Sequence, residues 1–206
     1  FIDKGQTVIQ AVRELGFAQV MYYGIYRLGL ASGHYRRKTP VKYPLAQQNL
    51  PTHFDFFELP DKIIYGSLLD PATEDLINEA EEILGGQVRL FGGPPVALDL
   101  SAPDSTVHWS RARLDSSTDV KFIWEPARFG WAFVLGRAFY LSQDERFAEG
   151  FWTKFEEFTR LNPVNCGLNW ASGQEVALRL IALVFAGQVF AGAGMTTPHR
   201  MLALNS

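Results

Sequence analysis

The chain has 206 residues, of which 47% are hydrophobic and 14% aromatic, so it is long and apolar enough to bury a core. Its 19 basic and 22 acidic residues give a formal net charge of −3, which argues against a general attraction to nucleic acid, anionic lipid or a polyanion. One cysteine excludes an internal disulfide framework, and four scattered histidines lack metal-ligand spacing.

The N-terminal part of the sequence predicts helices with irregular segments between them. Apolar residues at helical spacing predict one or two helices between Gln6 and Leu30. A basic turn over 34–38 and a proline-containing irregular segment over 40–60 follow. Asp70-Pro71 is a helix start signal, and the helix is expected to stop at Gly85-Gly86.

A single β signal lies between this helix and the rest of the chain. Apolar residues alternate on both sides of a Gly-Gly-Pro-Pro turn at 92–95, which predicts a small β-hairpin near 87–100. A polar loop over 101–120, with His108 and Trp109 as its most distinctive residues, is expected next.

From Lys121 onward the pattern predicts three consecutive helices. The first runs from about Pro126 to Leu141. The second begins at a Ser142–Glu145 capping box and ends at Asn162-Pro163. Its apolar stripe consists of Phe147, Phe151, Phe155 and Phe158.

The third helix begins at a capping box, Ser172–Glu175, and continues to Val189. It is apolar nearly all round and is expected inside the domain, with an exposed apolar flank around Phe185–Phe190 if the chain is a fragment. Thr197-Pro198 predicts one more helix that starts near the end of the chain.

These patterns predict a mainly all-α fold. Successive helical hairpins suit a bundle or a partial α/α toroid, with the small β-hairpin near 87–100. We divide the chain into an N-terminal region, 1–110, and a region of toroid hairpins, 111–206. No run reaches the roughly 20 apolar residues needed for a membrane span, since Arg179 and Gln188 interrupt the nearest one, 176–193.

Two clusters combine tryptophan, glutamate and arginine near helix starts. One covers 122–131 and the other 165–175, with Arg179 one turn later. Aromatic faces stack on sugar rings, and arginine and glutamate make directional hydrogen bonds to hydroxyls and carboxylates. The clusters therefore suggest a glycan groove.

A purely structural interpretation explains the same residues. Glu175 completes a capping box and is spaced for an i, i+4 ion pair with Arg179. The tryptophans are then ordinary core residues. Cys166 is expected to be inert, because no histidine lies nearby in sequence to activate it.

The two clusters carry a resemblance to a known family. The segments DVKFIWEPARFGWAFVLGRAFYLSQDERFA (119–148), Asn162-Pro163 and NWASGQEVALRL (169–180) resemble, in order, the helical domain of heparinase II/III family proteins. The lead-in 88–99 with His108-Trp109 is also similar.

This resemblance implies an α/α toroid followed by a β-sandwich, and cleavage of uronic-acid-containing polysaccharide by β-elimination. It implies that the family's Asn-His motif and its tyrosine and histidine acid/base residues lie beyond Ser206; no Asn-His pair occurs in the 206 residues, so the catalytic residues are unknown. The substrate-binding residues that it implies are Trp124, Glu125, Arg128, Asn169, Trp170, Glu175 and Arg179.

The expected partners are an acidic polysaccharide and a β-sandwich region outside this chain. We expect no cofactor, no metal, no nucleic acid and no membrane span. A periplasmic or cell-envelope location is expected for such an enzyme, and this chain alone is expected to be inactive. The alternatives are a non-catalytic glycan-binding or exopolysaccharide-assembly scaffold, a helical-toroid glycoside hydrolase that uses Glu125 and Glu175, and a purely structural helical domain.

Overall fold

The computed structural model describes residues 4–41, 56–69, 72–114 and 119–205. The chain forms two compact units, Phe1–Pro40 and Val41–Ser206. The architecture is mainly helical with one two-stranded antiparallel sheet, which confirms the predicted fold class at this level. The division at residue 110 rests on a change in sequence pattern and stays a prediction.

The described residues of the first unit form three helices: α1 (Lys4–Leu15), α2 (Phe17–Ala31) and α3 (His34–Lys38). Gly16 separates α1 from α2, and its φ of 93° lies where a residue with a Cβ is strained. The helices predicted between Gln6 and Leu30 are confirmed. The basic segment, predicted as a turn, is instead the short helix α3.

The second unit contains the remaining elements. In chain order they are α4 (Lys62–Leu69), α5 (Thr73–Leu84), β1 (Gln87–Arg89), β2 (Pro95–Ala97), α6 (Lys121–Ala127), α7 (Gly130–Ser142), α8 (Glu145–Leu161), α9 (Gly173–Phe190) and α10 (Pro198–Asn205). Helix α4 was not predicted from the sequence. The start signal Asp70-Pro71 and most of the irregular segment 40–60 lie outside the described residues.

The predicted β-hairpin is confirmed, although its strands are short. Val88 pairs with Val96 in an antiparallel register that begins directly after α5. Gly86 turns the chain with a φ of 81°, after Gly85 has ended the helix as predicted. Leu98 and Leu100, which the alternation placed in the second strand, follow β2 and are buried in the core.

Helix α7 lies at the centre of the second unit. It contacts α4, α5, α6, α8 and α9. Small residues make this possible, because Ala132, Gly136 and Ala138 leave room for neighbouring helices to approach. A Cβ on Gly136 would lie 2.5 Å from the ring of Phe185 on α9.

The phenylalanine stripe of α8 faces this core as predicted. Phe147, Phe151, Phe155 and Phe158 are all buried. The ring of Phe151 stacks on Phe190 of α9 at a centroid distance of 4.9 Å and meets Trp152 at 5.0 Å. These rings combine a large buried apolar area with favourable ring geometry, so they make a major contribution to the stability of the unit.

Two predicted helix boundaries are wrong. Pro126 does not start a helix but lies in the last turn of α6, and the chain breaks at Phe129, whose φ is 62°, before α7 begins. Ser142 is the last residue of α7, where its hydroxyl donates to the carbonyl of Ala138. The N-cap of α8 is Asp144, whose carboxylate accepts the backbone N–H of Arg146 at 2.9 Å.

Helix α9 is only partly interior. Its C-terminal half packs into the core, where Val189 and Phe190 are buried, whereas Leu180 and Ile181 are exposed. The exposed apolar flank therefore lies earlier on the helix than the predicted 185–190. Among the described residues α9 alone has the length and hydropathy of a membrane span, but it is a partly buried core helix, and this is weak evidence for a span.

An arginine ties the last helix to α8. Arg200 of α10 bonds Glu149 at 2.6 Å and Glu156 at 2.8 Å, and it lies over the ring of Trp152. The hydroxyl of Thr197 accepts the backbone N–H of Arg200, which confirms the predicted cap of α10. Hydrogen bonds from Arg200 outweigh burial and hold the pKa of Glu149 below its ordinary value.

The close approach at Gly136 gives a testable prediction. Gly136→Ala should lower the free energy of unfolding by about 1–3 kcal/mol, since the ring of Phe185 is packed against Phe133 at 4.7 Å and cannot withdraw freely. The measurement is chemical denaturation followed by circular dichroism. Gly130→Ala, on the same helix in open space, is the control and should be neutral or slightly stabilising. Equal stability of the two variants would contradict this packing.

The attachment of α10 should depend on pH. Glu149 has a lowered pKa in the folded state, so its contribution is complete above the unfolded value near 4.5 and is lost as the pH falls below it. Glu149→Gln should cost about 1 kcal/mol at pH 7, and this difference from wild type should vanish near pH 3 in thermal melts. Glu157→Gln, whose partner Lys154 lies on the same helix, should show a smaller effect at pH 7. A difference that persists at pH 3 would contradict the ion-pair explanation.

Candidate functional site

The two predicted clusters meet in space. The end of α6 carries Glu125 and Arg128, and the start of α9 carries Glu175. The guanidinium of Arg128 binds Glu175 through two contacts, from Nε to Oε2 at 2.5 Å and from Nη2 to Oε1 at 3.0 Å. Its Nη1 donates to Glu125. A bidentate pair of this kind fixes the position of the guanidinium as well as its charge.

The chain reaches this arrangement because α6 stops early. The left-handed Phe129 ends the run of helical residues that begins at Lys121 and directs the chain into α7. On the other side, a single 3-10 turn over Leu168–Trp170 precedes α9. The hydroxyl of Ser172 accepts the N–H of Glu175, so the predicted cap is confirmed, but the Glu175 carboxylate binds Arg128.

Two of the three tryptophans of the clusters are half-buried, and their indoles bond to the backbone. The indole of Trp124 donates to the carbonyl of Leu168 at 3.0 Å. The indole of Trp170 donates to the carbonyl of Asn162 at 3.3 Å. Trp131, in contrast, is buried in the core. Trp124 and Trp170 therefore brace the junction and still expose part of their surface.

Arg179 is the buried centre of the arrangement. Its side chain donates to the carbonyl of Ala127 at 2.6 Å and to that of Asn169 at 2.9 Å. The guanidinium also lies 4.6 Å from the ring centre of Phe158 and 5.3 Å from that of Trp170. Burial lowers the pKa of Arg179 to about 10, which leaves it charged at neutral pH.

The structural interpretation of Glu175 and Arg179 as an i, i+4 ion pair is wrong. Glu175 binds Arg128, and the Arg179 side chain donates hydrogen bonds to two backbone carbonyls. Arg179 Nη1 and Asn169 Oδ1 are buried without a hydrogen-bond partner among the described residues. An unpaired buried polar atom costs about 1–3 kcal/mol, so the geometry is held at some expense in stability.

Asn162 belongs to this support and was not predicted as part of the site. Its amide nitrogen donates to the carbonyls of Leu100 and Phe158, and its side-chain oxygen accepts from Asn169 Nδ2 at 2.9 Å. The sequence singled out Asn162 only as a helix end before proline. Its contacts with Leu100 and Asn169 come from the tertiary fold.

Burial divides the seven predicted residues into two groups. Asn169, Glu175 and Arg179 are buried and act as supports. Trp124, Glu125, Arg128 and Trp170 are half-buried, with 27% of the Arg128 side chain and 28% of the Glu125 side chain exposed. The two arginines and two glutamates balance in charge. Hydrogen bonds to Glu175 raise the pKa of Arg128 against the opposing effect of burial.

The fold also brings Cys166 opposite His108, which are far apart in sequence. The two residues form an isolated antiparallel bridge, and His108 Nδ1 lies 2.9 Å from Ser110 Oγ. Burial raises the pKa of the Cys166 thiol, so it stays protonated and weakly nucleophilic at neutral pH. No group of three His, Cys, Asp or Glu side chains suited to a metal ion occurs in the described part of the chain.

The role of Arg179 can be tested by stability. Arg179→Met should lower the free energy of unfolding by about 2–4 kcal/mol, because the carbonyls of Ala127 and Asn169 lose their donor inside the protein. Arg179→Lys keeps the charge but loses the planar guanidinium with its several donors. Its free energy of unfolding should therefore lie between those of wild type and Arg179→Met. The control Arg160→Met, at an exposed position on α8, should change stability by less than about 0.5 kcal/mol in the same denaturation experiment. Similar losses at 160 and 179 would refute the bridging role.

Comparisons with protein-family models, with curated proteins and with solved structures find no match to this chain.

Proposed function

We propose that the chain is the N-terminal helical part of a polysaccharide lyase that cleaves uronic-acid-containing polysaccharide by β-elimination. The observation that carries the proposal is the accessible group Trp124, Glu125, Arg128 and Trp170, held on the buried supports Glu175 and Arg179. Sugar ligands need this combination of aromatic faces and fixed polar groups. The ordered resemblance of 119–148 and 169–180 to heparinase II/III proteins supports it further.

A toroid of helical hairpins is part of the proposal. Consecutive helices contact each other in the pairs α7–α8 and α9–α10, as the hairpins of a toroid do. In such a fold the ends of the helices line a groove, and the accessible group lies at two helix ends.

The contacts of Arg128 suggest how a uronate is recognised. Glu175 is buried and holds two nitrogens of Arg128, so it is a fixed partner. Glu125 is more exposed and holds only Nη1. A substrate carboxylate would replace Glu125 on Nη1, and the local charge balance would be preserved because the Glu125 carboxylate would then be free to meet solvent.

The elimination itself needs groups that we do not assign to these residues. The C5–H bond breaks as a base takes the proton, a C4–C5 double bond forms, and the C4–O bond breaks as an acid protonates the leaving oxygen. A neutralising group on the substrate carboxylate makes the C5 proton acidic. The seven residues position a sugar chain in this proposal, and none of them is given the role of base or acid.

The hydrolase alternative gains no support from the geometry. Its two candidate carboxylates, Glu125 and Glu175, bind the same guanidinium. A glycosidase pair faces the sugar from two sides of a cleft, with one carboxyl group protonated. Glu175 is instead a buried partner of an arginine.

Binding by the 206-residue chain tests the proposal. We expect Glu125→Gln to tighten binding of an unsulfated uronate hexasaccharide, such as one from hyaluronan, by about 3–10-fold, since it removes a competing carboxylate. Arg128→Lys should weaken it by about tenfold or more, because lysine lacks the planar fork. Calorimetric titration measures both. Neutral cellohexaose should respond to neither change.

The matched control is Glu157→Gln, the same change in charge on α8, which should leave affinity unaltered. Failure of the folded chain to bind any uronate oligosaccharide would refute the proposal for this chain. Binding that Glu125→Gln leaves unchanged would refute the recognition by Arg128. A longer form that binds but yields no ultraviolet-absorbing double bond would indicate the non-catalytic scaffold instead.

A further inference from the structure

The net charge of the chain is unevenly distributed between the two compact units. Residues 1–40 contain six basic and two acidic side chains, a net charge of +4. The remaining 166 residues contain 13 basic and 20 acidic side chains, a net charge of −7. The first unit is therefore a basic segment of an acidic chain.

Helix α2 in this unit displays an apolar stripe. Phe17, Met21, Ile25 and Leu28 follow one another at i, i+4, i+8 and i+11, and so lie along one face. All four are exposed, Phe17 by 72% and Leu28 by 71%. No residue of α2 is buried. Four exposed apolar side chains in one row mark a binding surface rather than a solvent face.

Tyrosines lie on the opposite side of α2 from this stripe, and cations follow on α3. Tyr22, Tyr23 and Tyr26 occupy the other side of α2, where Arg27 bonds the Tyr23 hydroxyl. Helix α3 follows with Arg36, Arg37 and Lys38, all exposed. Tyr35 packs α3 against α2, since its ring lies 2.5 Å from where a Cβ of Gly29 would be. The packing keeps the cations next to the apolar helix.

We propose that the first unit binds the surface of a bilayer that contains anionic lipid, with the stripe of α2 in the acyl boundary and the cations of α3 on the headgroups. The tyrosines on the opposite side of α2 would then lie at the headgroup level, which suits a side chain with an apolar ring and a polar hydroxyl. Adjacent arginines and lysine match a negatively charged headgroup layer. The inference is independent of the proposed lyase function.

A membrane-spanning helix and a symmetric dimer explain the features of the first unit less well than binding to a bilayer surface. The 15 residues of α2 extend about 22 Å, which is shorter than the roughly 30 Å of a hydrocarbon core. Two copies that met through this unit would bring together two surfaces of net charge +4. An anionic lipid surface meets both requirements of the unit, since it accepts apolar side chains and cations together.

Co-sedimentation of the full chain with vesicles tests the inference. We expect binding to vesicles of mixed phosphatidylglycerol and phosphatidylcholine, weakened by salt, and little binding to phosphatidylcholine alone. The triple variant R36Q/R37Q/K38Q should bind the anionic vesicles on the order of 100-fold more weakly. Phe17→Ser with Leu28→Ser should lose at least about tenfold at low salt.

The matched control changes three exposed cations of the second unit, R111Q/K121Q/R160Q, and should bind as wild type does. Circular dichroism confirms that each variant keeps its helices. The inference is overturned if the folded wild-type chain ignores anionic vesicles, or if the two triple variants bind equally. It is also overturned if the serine variant abolishes self-association in sedimentation velocity while vesicle binding persists, since the stripe would then be a protein contact.

Discussion

One buried guanidinium connects the two sequence segments that form the candidate site. Arg179 reaches from α9 to the last residue of α6 and to the turn before α9, so it joins backbone that is 42 residues apart, at Ala127 and Asn169. A buried cation is tolerated only when it is well bonded, and here two carbonyls and two aromatic rings surround it. Because those carbonyls lie beside Arg128 and Trp170, the bond geometry of Arg179 sets where the accessible side chains stand.

Much of the helical architecture follows from local sequence rules. The phenylalanine spacing of α8, the caps at Ser172 and Thr197 and the glycine stop after α5 act within one or two turns, so the sequence predicts them correctly. The boundary between α6 and α7 is different. Proline is well suited to the first turn of a helix, where its missing N–H is not needed. Here Pro126 instead lies near the end of the short helix α6. Local pattern could not choose between them. Asp144 likewise caps α8 in place of Ser142, because Ser142 is the last residue of α7.

The candidate site was predictable as a set of residues but not as an arrangement. Residue types and family resemblance singled out the two clusters, and the fold places them in contact. Sequence spacing suggested the wrong partner for Glu175. The i, i+4 rule considers only residues on the same helix, whereas Arg128 comes close to Glu175 only in the folded protein. The contributions of Asn162 and the pairing of His108 with Cys166 are also tertiary. The net charge of −3 likewise conceals a difference within the chain, since it is the sum of +4 in the first unit and −7 in the second.

The close contact between Gly136 and Phe185 has a consequence for the way the site responds to sequence drift. Phe185 lies ten residues along α9 from Glu175, a distance of about 15 Å in a straight helix. Because α9 is stiff, a small tilt of the helix at Phe185 displaces its N-terminal end, where Glu175 binds Arg128. Substitutions around α7 can therefore shift the position of Arg128 and Glu175 without replacing either residue. Selection on the proposed ligand binding would then act partly through apolar residues outside the candidate site.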